Sequence, residues 1–286
     1  MKLAFSTVAC PEWTLDQVVS FAASSEYDGV ELRTFGFGSS KIACDPALTA
    51  ASKLRAMMDD AGVVGASLAT GCRFDEPIVP PVIGRVISDI ERSVREAKSA
   101  IQLAAALDVP FVRVFAFEFH KGDNPKLAER RIINRLRSAI DAARNTGVKV
   151  VLENGGSYPG AKDIARIIAE INHPLLGAAY SPMAALAAGE SAIQGAEILG
   201  DRLWMVKLKD QLGGEPCVIG DGDLGCRALV EHLAKRQFSG WGVVEWDRLW
   251  VDGLAAPEGV LSAAAERLRV WSASARGGRR VGAAWA

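Results

Sequence analysis

The residues able to do chemistry sit at the ends of short apolar runs. Leu203-Trp-Met-Val-Lys-Leu-Lys-Asp210 carries Lys207 and Lys209, while Val-Leu-Glu153-Asn and Val-Val-Glu245-Trp each place a carboxylate after apolar residues. Alternate side chains of a strand share a face. Met205, Lys207 and Lys209 therefore point one way, and Trp204, Val206 and Leu208 point toward a helix layer. The same parity pairs Val151 with Glu153 and Val243 with Glu245, leaving Val150, Leu152 and Val244 on the opposite faces. Glu31, Arg33 and Arg113 are inward candidates on two further runs. Ionised groups are costly inside a protein unless paired, so an ammonium and carboxylates converging at strand ends read as a site. A carboxylate there can exchange a proton at carbon, and a fixed cation can stabilise the oxyanion that develops. A structural role stays open beside this one: Glu153 and Glu245 anchoring the wall through Arg113 or Arg33, and Lys207 neutralising them.

The elements that must position these residues alternate from end to end. Apolar runs at 2–8, 29–33, 63–70, 111–117, 149–155, 175–181, 202–210 and 242–246 read as strands. Amphipathic segments at 15–24, 46–61, 83–107, 125–146, 161–171, 185–199, 226–236 and 257–272 read as helices. Thr14 with Gln17 three residues on has capping-box spacing, and Gly62 and Gly147 stand where helices stop. Eight strand-then-helix units without a linker predict an α/β fold, a single-domain (β/α)8 TIM barrel over residues 1–274, with a doubly wound open sheet as the alternative. In such a barrel chemistry sits at the C-terminal mouth, where Glu153, Glu245 and Lys207 all fall. Residues 275–286 form a Gly/Arg-rich tail, read as a flexible or subunit-contacting extension of a homo-oligomer.

Composition narrows the function classes. The chain of 286 residues is 49% hydrophobic with a formal net charge of −1, which gives no general reason to expect nucleic acid or an anionic membrane as partner. No apolar run approaches the roughly 20 residues of a spanning helix, and the N-terminus reads as a first strand instead of a secretory signal. The five cysteines are widely spaced without a C-x-x-C pair, as in a reduced, cytoplasmic protein. Gly220-Asp-Gly-Asp-Leu-Gly225 satisfies G-x-G-x-x-G, but Asp221 and Asp223 would repel a pyrophosphate, so it reads as a tight turn after the seventh strand. His173 precedes the sixth strand and His232 lies mid-helix; only His120, after the fourth strand, is on the mouth side. A Ser-His-Asp triad therefore has little support and a His-rich metal site none.

Taken in order, Asp28-Gly-Val-Glu-Leu32, Val-Leu-Glu153-Asn, Lys209-Asp210, Ile219-Gly-Asp-Gly-Asp223 and Gly240-Trp-Gly-Val-Val-Glu245 resemble the xylose-isomerase-like (AP-endonuclease-2-like) TIM barrels. That superfamily holds sugar-phosphate isomerases, epimerases and inosose dehydratases. The resemblance implies a divalent ion (manganese, magnesium or zinc) held by Glu, Asp, His and Glu from strands five to eight. Glu153 and Glu245 match the two glutamates and would be the metal residues if any are. Ser181 and Ala184 align with the Asp and His of an Asp-Pro-x-His motif, and Lys207 aligns with the His of a His-x-Lys-Asp motif. A protonated ammonium is not a metal ligand. Ser181 and Lys207 thus disfavour the metal, no other cofactor is expected, and Lys207 is expected to stand between Glu153 and Glu245 in the metal's electrostatic place. The resemblance implies an isomerase or epimerase of small-molecule carbohydrates, with Glu153, Glu245 and Lys207 catalytic and Ser181, Lys209, Arg113, His120 and Arg73 as substrate contacts. A Schiff-base or dehydratase-type lyase on a keto-sugar is a second reading, with Lys209 depressing the Lys207 pKa. A catalytically inactive sugar-binding barrel is the third.

Overall fold

The computed structural model describes residues 1–77 and 92–277. Eight parallel strands close into a barrel: β1 (Lys2–Ser6), β2 (Gly29–Arg33), β3 (Val64–Arg73), β4 (Phe111–Phe115), β5 (Lys149–Glu153), β6 (Leu176–Tyr180), β7 (Leu203–Leu208) and β10 (Trp241–Val244). Neighbours in the chain are neighbours in the barrel, and β10 closes it against β1. Between β7 and β10 a small hairpin, β8 (Asp210–Leu212) and β9 (Glu215–Cys217), stands outside the barrel sheet.

The helices form the outer layer: α1 (Leu15–Ser24), α2 (Ala51–Ala61), α3 (Arg92–Ala106), α4 (Pro125–Asp141), α5 (Ala161–Ile171), α6 (Pro182–Leu186), α7 (Ala192–Leu199), α8 (Cys226–Lys235) and α9 (Pro257–Gly277). Thr14 and Gln17 form the capping box expected for α1, and Gly62 ends α2 in a left-handed conformation. The segments expected as single helices at 46–61 and 185–199 are divided. A short 3-10 turn at Pro46–Leu48 precedes α2, and α6 with α7 replaces the latter, Ser191 capping the second. Residues 83–91 of the third expected helix lie outside the described residues. So does the expected tail beyond Gly277; its first three residues continue α9.

Parity sorts the apolar side chains as the strand pattern predicts, with one correction. Val150, Leu152, Val206, Leu208 and Val244 join the large core under the helices. Ala4, Ala66, Val151, Ala179, Met205, Trp241 and Val243 fill the barrel interior. Trp204, expected in the helix layer, instead packs against the interior cluster and Phe111. The cause is a register shift between β6 and β7, where Ala178 pairs with Leu203 and Ala179 with Met205, so Trp204 is an extra residue. Gly177 makes this possible, because a Cβ there would collide with the indole.

A second shift matters for function. Val30 pairs with Gly65 but Glu31 with Ser67, so Ala66 is the extra residue in β3. Ala66 and Ser67 consequently both reach the interior side, and Ser67 donates a hydrogen bond of 2.7 Å to Glu31.

The loop after β9 is held by one carboxylate. Asp210 accepts from the backbone N–H groups of Gln211, Gly220, Gly222 and Leu224 at 2.9–3.3 Å. The glycine-rich stretch is thus a turn wrapped around Asp210, leaving its N–H groups turned inward. Asp210→Ala would strand several of these donors, each unsatisfied buried donor costing about 1–3 kcal/mol. Denaturant unfolding is expected to show that order of destabilisation, with faster amide exchange confined to the loop around Gly220.

Candidate active site

The floor of the barrel is apolar, and the layer above it is charged. Lys207 emerges from β7 fully buried, its neighbour in register being Val243 of β10. Its ammonium forms ion pairs with Glu31 and with Glu245, the second at 2.8 Å. Glu31 is itself fully buried and takes the Ser67 hydroxyl on its other oxygen. Lys209, two residues on, binds Asp247 at 3.0 Å and reaches Glu245 at 3.5 Å. Glu153 faces Arg113 of the neighbouring strand, with Nε and Oε2 3.2 Å apart.

The arrangement corrects one expectation. Lys207 is not held between Glu153 and Glu245 but between Glu31 and Glu245, while Glu153 belongs to Arg113. Glu31 has the right parity on β2 to be recognised as inward, but nothing in the sequence matches it to Lys207, because the strands lie far apart in the chain. Asp247, missed as well, lies two residues beyond Glu245, a spacing that sequence periodicity alone could have exposed.

Electrostatics divide the two glutamates. Burial raises Glu153 above the ordinary carboxylate range, with Arg113 and Lys207 only partly offsetting it. Burial acts on Glu245 in the same direction, but Lys207 and Lys209 outweigh it and hold that carboxyl down at about 2. Burial alone would lower Lys207; Glu245, Glu31 and Glu153 instead raise it. The expectation that Lys209 depresses the Lys207 pKa is therefore not met: the surrounding carboxylates outnumber it. Two carboxyl groups pushed apart in this way separate a proton-exchanging group from a permanently ionised one.

The remaining expected contacts are committed elsewhere. The Ser181 hydroxyl accepts from the Ala184 N–H at 3.4 Å as the cap of α6, and Asn154 fixes the Ser181 backbone through bonds of 2.7 and 2.9 Å. Arg73 and His120 meet, but at Asp75, with distances of 2.9 and 2.8 Å. This cluster stands beside the charged centre, joined to it by the Phe115–Phe117 pair under Arg113 and Arg73. Among the described residues no group of three or more His, Cys, Asp or Glu side chains is placed to hold a metal ion. A cleft of about 770 Å3 opens at the opposite end of the barrel beside Trp204, Phe111 and Trp241, away from all of these residues.

A closed eight-stranded barrel with charged side chains at its C-terminal mouth is a (β/α)8 architecture. The xylose isomerase-like TIM barrel family matches residues 19–271, and the chain belongs to that family. No curated protein sequence matches the chain significantly. Solved structures share its fold: L-ribulose 3-epimerase superposes with a TM-score of 0.80 at 14% identity, covering 99% of both chains. The IolI protein with a bound zinc atom gives 0.76 at 17% identity, covering 96% of this chain and 99% of the other. The probable 3-DHS dehydratase AsbF of Bacillus anthracis gives 0.74 at 14% identity over 94% and 99%. No helix among the described residues is long and apolar enough to cross a membrane.

Two outcomes follow from the charged layer. Lys207→Met leaves Glu31 buried without its cation and Glu245 with Lys209 alone at 3.5 Å, and breaking such a buried pair costs about 3–5 kcal/mol. Chemical denaturation at neutral pH is expected to show that loss, and Lys207→Met combined with Glu31→Gln a smaller one. Because the folded Glu245 is depressed below the unfolded value of about 4.3, its contribution is complete above that pH. It is lost as pH falls toward about 2. Stability measured across this window should decline more steeply in the wild type than in Glu245→Gln.

Proposed function

We propose that the chain is a carbohydrate isomerase or epimerase that moves a proton at carbon with Glu153, in a site whose fixed positive charge comes from Lys207 and not from a divalent ion. The observation that carries this reading is the ammonium of Lys207 buried between Glu31 and Glu245, in a charged layer that also holds Glu153. The donor set argues against a metal at this point. An ammonium occupies the space between two of the carboxylates, and the Ser181 hydroxyl is engaged with backbone.

In this mechanism a polyhydroxylated ketone lies over the mouth with a C–H next to its carbonyl facing Glu153. The raised pKa of Glu153 suits a group that takes a proton from carbon and returns it. The enediolate formed is met by Lys209, partly exposed at the mouth, and by the buried Arg113 beside Glu153. Lys207 has no exposed surface, so it acts on this charge through its field and by holding Glu245 ionised. Return of the proton by Glu153 to the adjacent carbon gives isomerisation; delivery of a proton from water to the opposite face of the same carbon, with Glu153 releasing its own proton to solvent, gives epimerisation. Loss of a β-hydroxyl from the same enediolate gives the dehydratase-type lyase reaction. An imine on Lys207 has less support, because its nitrogen is buried and kept as an ammonium. Trp250, 59% exposed beside Phe35, offers an aromatic face for the apolar side of a sugar ring.

Chelator-treated protein incubated with ketoses in deuterium oxide is expected to place solvent deuterium at the carbon next to the carbonyl. Glu153→Gln should slow this by roughly 10²–10⁴-fold while keeping the fold, since it removes a charge that burial disfavours. Wild-type exchange rates in Glu153→Gln would contradict the assignment. No exchange by the wild type on any ketose would favour the barrel that binds sugar without turning it over.

A further inference from the structure

The cations of the mouth are not equally satisfied. Arg73 has Asp75, Arg113 has Glu153, Lys207 has Glu31 and Glu245, and Lys209 has Asp247. Arg33, at the end of β2, has no carboxylate partner among the described residues. It is only 7% exposed, and its one hydrogen bond as a side-chain donor runs from Nη1 to the Ala69 carbonyl at 3.3 Å. Its Nε is buried without a hydrogen-bond partner. Burial and the nearby Arg113 pull its pKa down to about 10 despite Glu31. A buried guanidinium with an empty donor is costly by itself, and its stacking on Phe35 at 4.5 Å and Trp250 at 5.8 Å holds it in place without neutralising it.

The surroundings explain what such a group is for. Arg33 lines a cleft of about 560 Å3 at the mouth, together with Thr34, Thr70 and Gly71 on its own side and, on the wall formed by α3, Arg95 and Arg92, the latter paired with Glu96 of the same wall at 2.9 Å. Gly71 is exposed, and a Cβ there would stand 3.3 Å from Arg33 Nη2, so the absent side chain leaves that edge of the guanidinium open to the cleft. The Nε–Nη2 edge of an arginine is the fork that grips two oxygens of one anion.

We propose that Arg33 and the cleft beside it bind an anionic group of the substrate, a phosphate or carboxylate carried by the sugar, so that the chain acts on an acidic carbohydrate and not on a neutral one. This deepens the functional reading above and rests on it only for the sugar to which the anion is attached; binding of the anion itself is independent of turnover. Arg33 is thereby the specificity residue of the mouth, in place of Arg73, Arg113 and Lys209, whose charges are met within the protein.

The test uses the intact chain and inorganic phosphate as probe, followed by a ketose phosphate, the matching sugar acid and the neutral ketose. Calorimetry and thermal unfolding are expected to detect phosphate binding to the wild type. Arg33→Met should weaken it by roughly 10- to 150-fold, the worth of a hydrogen bond to a charged group. Arg33→Met should also melt no lower than the wild type without ligand, since an uncompensated buried charge is removed. Arg33→Lys, which keeps charge without the fork, should bind more weakly than the wild type. Gly71→Val, which keeps Arg33 and crowds Nη2, should do the same. Tighter binding of either the ketose phosphate or the sugar acid than of the neutral ketose supports the proposal and tells which anion is meant. Equal affinity for acidic and neutral sugars, or phosphate binding undiminished in Arg33→Met, overturns it. Absence of turnover with intact anion binding would overturn the isomerase reading and leave this one standing.

Discussion

Everything at the mouth of this barrel depends on one buried ammonium. Lys207 carries its charge to a point with no exposed surface, where it is stable only because Glu31 and Glu245 meet it. The desolvation cost of such a group is several kcal/mol, so its partners cannot be altered singly without loss. This constraint fixes the ionisation of Glu245, and with it the contrast between Glu245 and the raised Glu153. The apolar floor of Ala4, Ala66, Val151, Ala179, Met205, Trp241 and Val243 beneath gives the network a dry and rigid base.

Two of the three register shifts among the described barrel strands serve this network and its floor. The extra Ala66 in β3 turns Ser67 toward Glu31, giving the second oxygen of that carboxylate a donor. The extra Trp204 in β7 closes the floor over Gly177, leaving the following Met205 and Lys207 in phase with the interior. Bulges of this kind re-aim side chains without changing the strand order. Here one of them completes the electrostatics of the site and the other its packing.

The barrel was legible in the sequence because strand and helix periods alternate without interruption from Lys2 to α9. The inward set Met205, Lys207, Glu153 and Glu245 followed from period-two parity, and the structure places Met205 in the interior cluster and the three charged residues in one layer. Partnerships were not legible. Lys207 and Glu31 are separated by 176 positions, and parity says which face a side chain takes but not which distant strand it meets. Trp204 took an unexpected orientation because a bulge shifts phase, and neither that shift nor the one before Ser67 carries a glycine or proline at the inserted residue to announce it. Ser181 has the type of a substrate contact, yet its hydroxyl caps α6; the Pro182 that follows it is a helix-start signal present in the sequence all along.

Membership of the xylose isomerase-like family gives the fold, while the particular chemistry turns on what occupies the middle of the mouth. A crystal structure of the purified protein, with elemental analysis of the same preparation, addresses this most directly. The account predicts density for the Lys207 nitrogen between Glu31 and Glu245 and no stoichiometric manganese, magnesium or zinc. One tightly bound divalent ion per chain, held by Glu153 and Glu245 with Lys207 turned away, would contradict it.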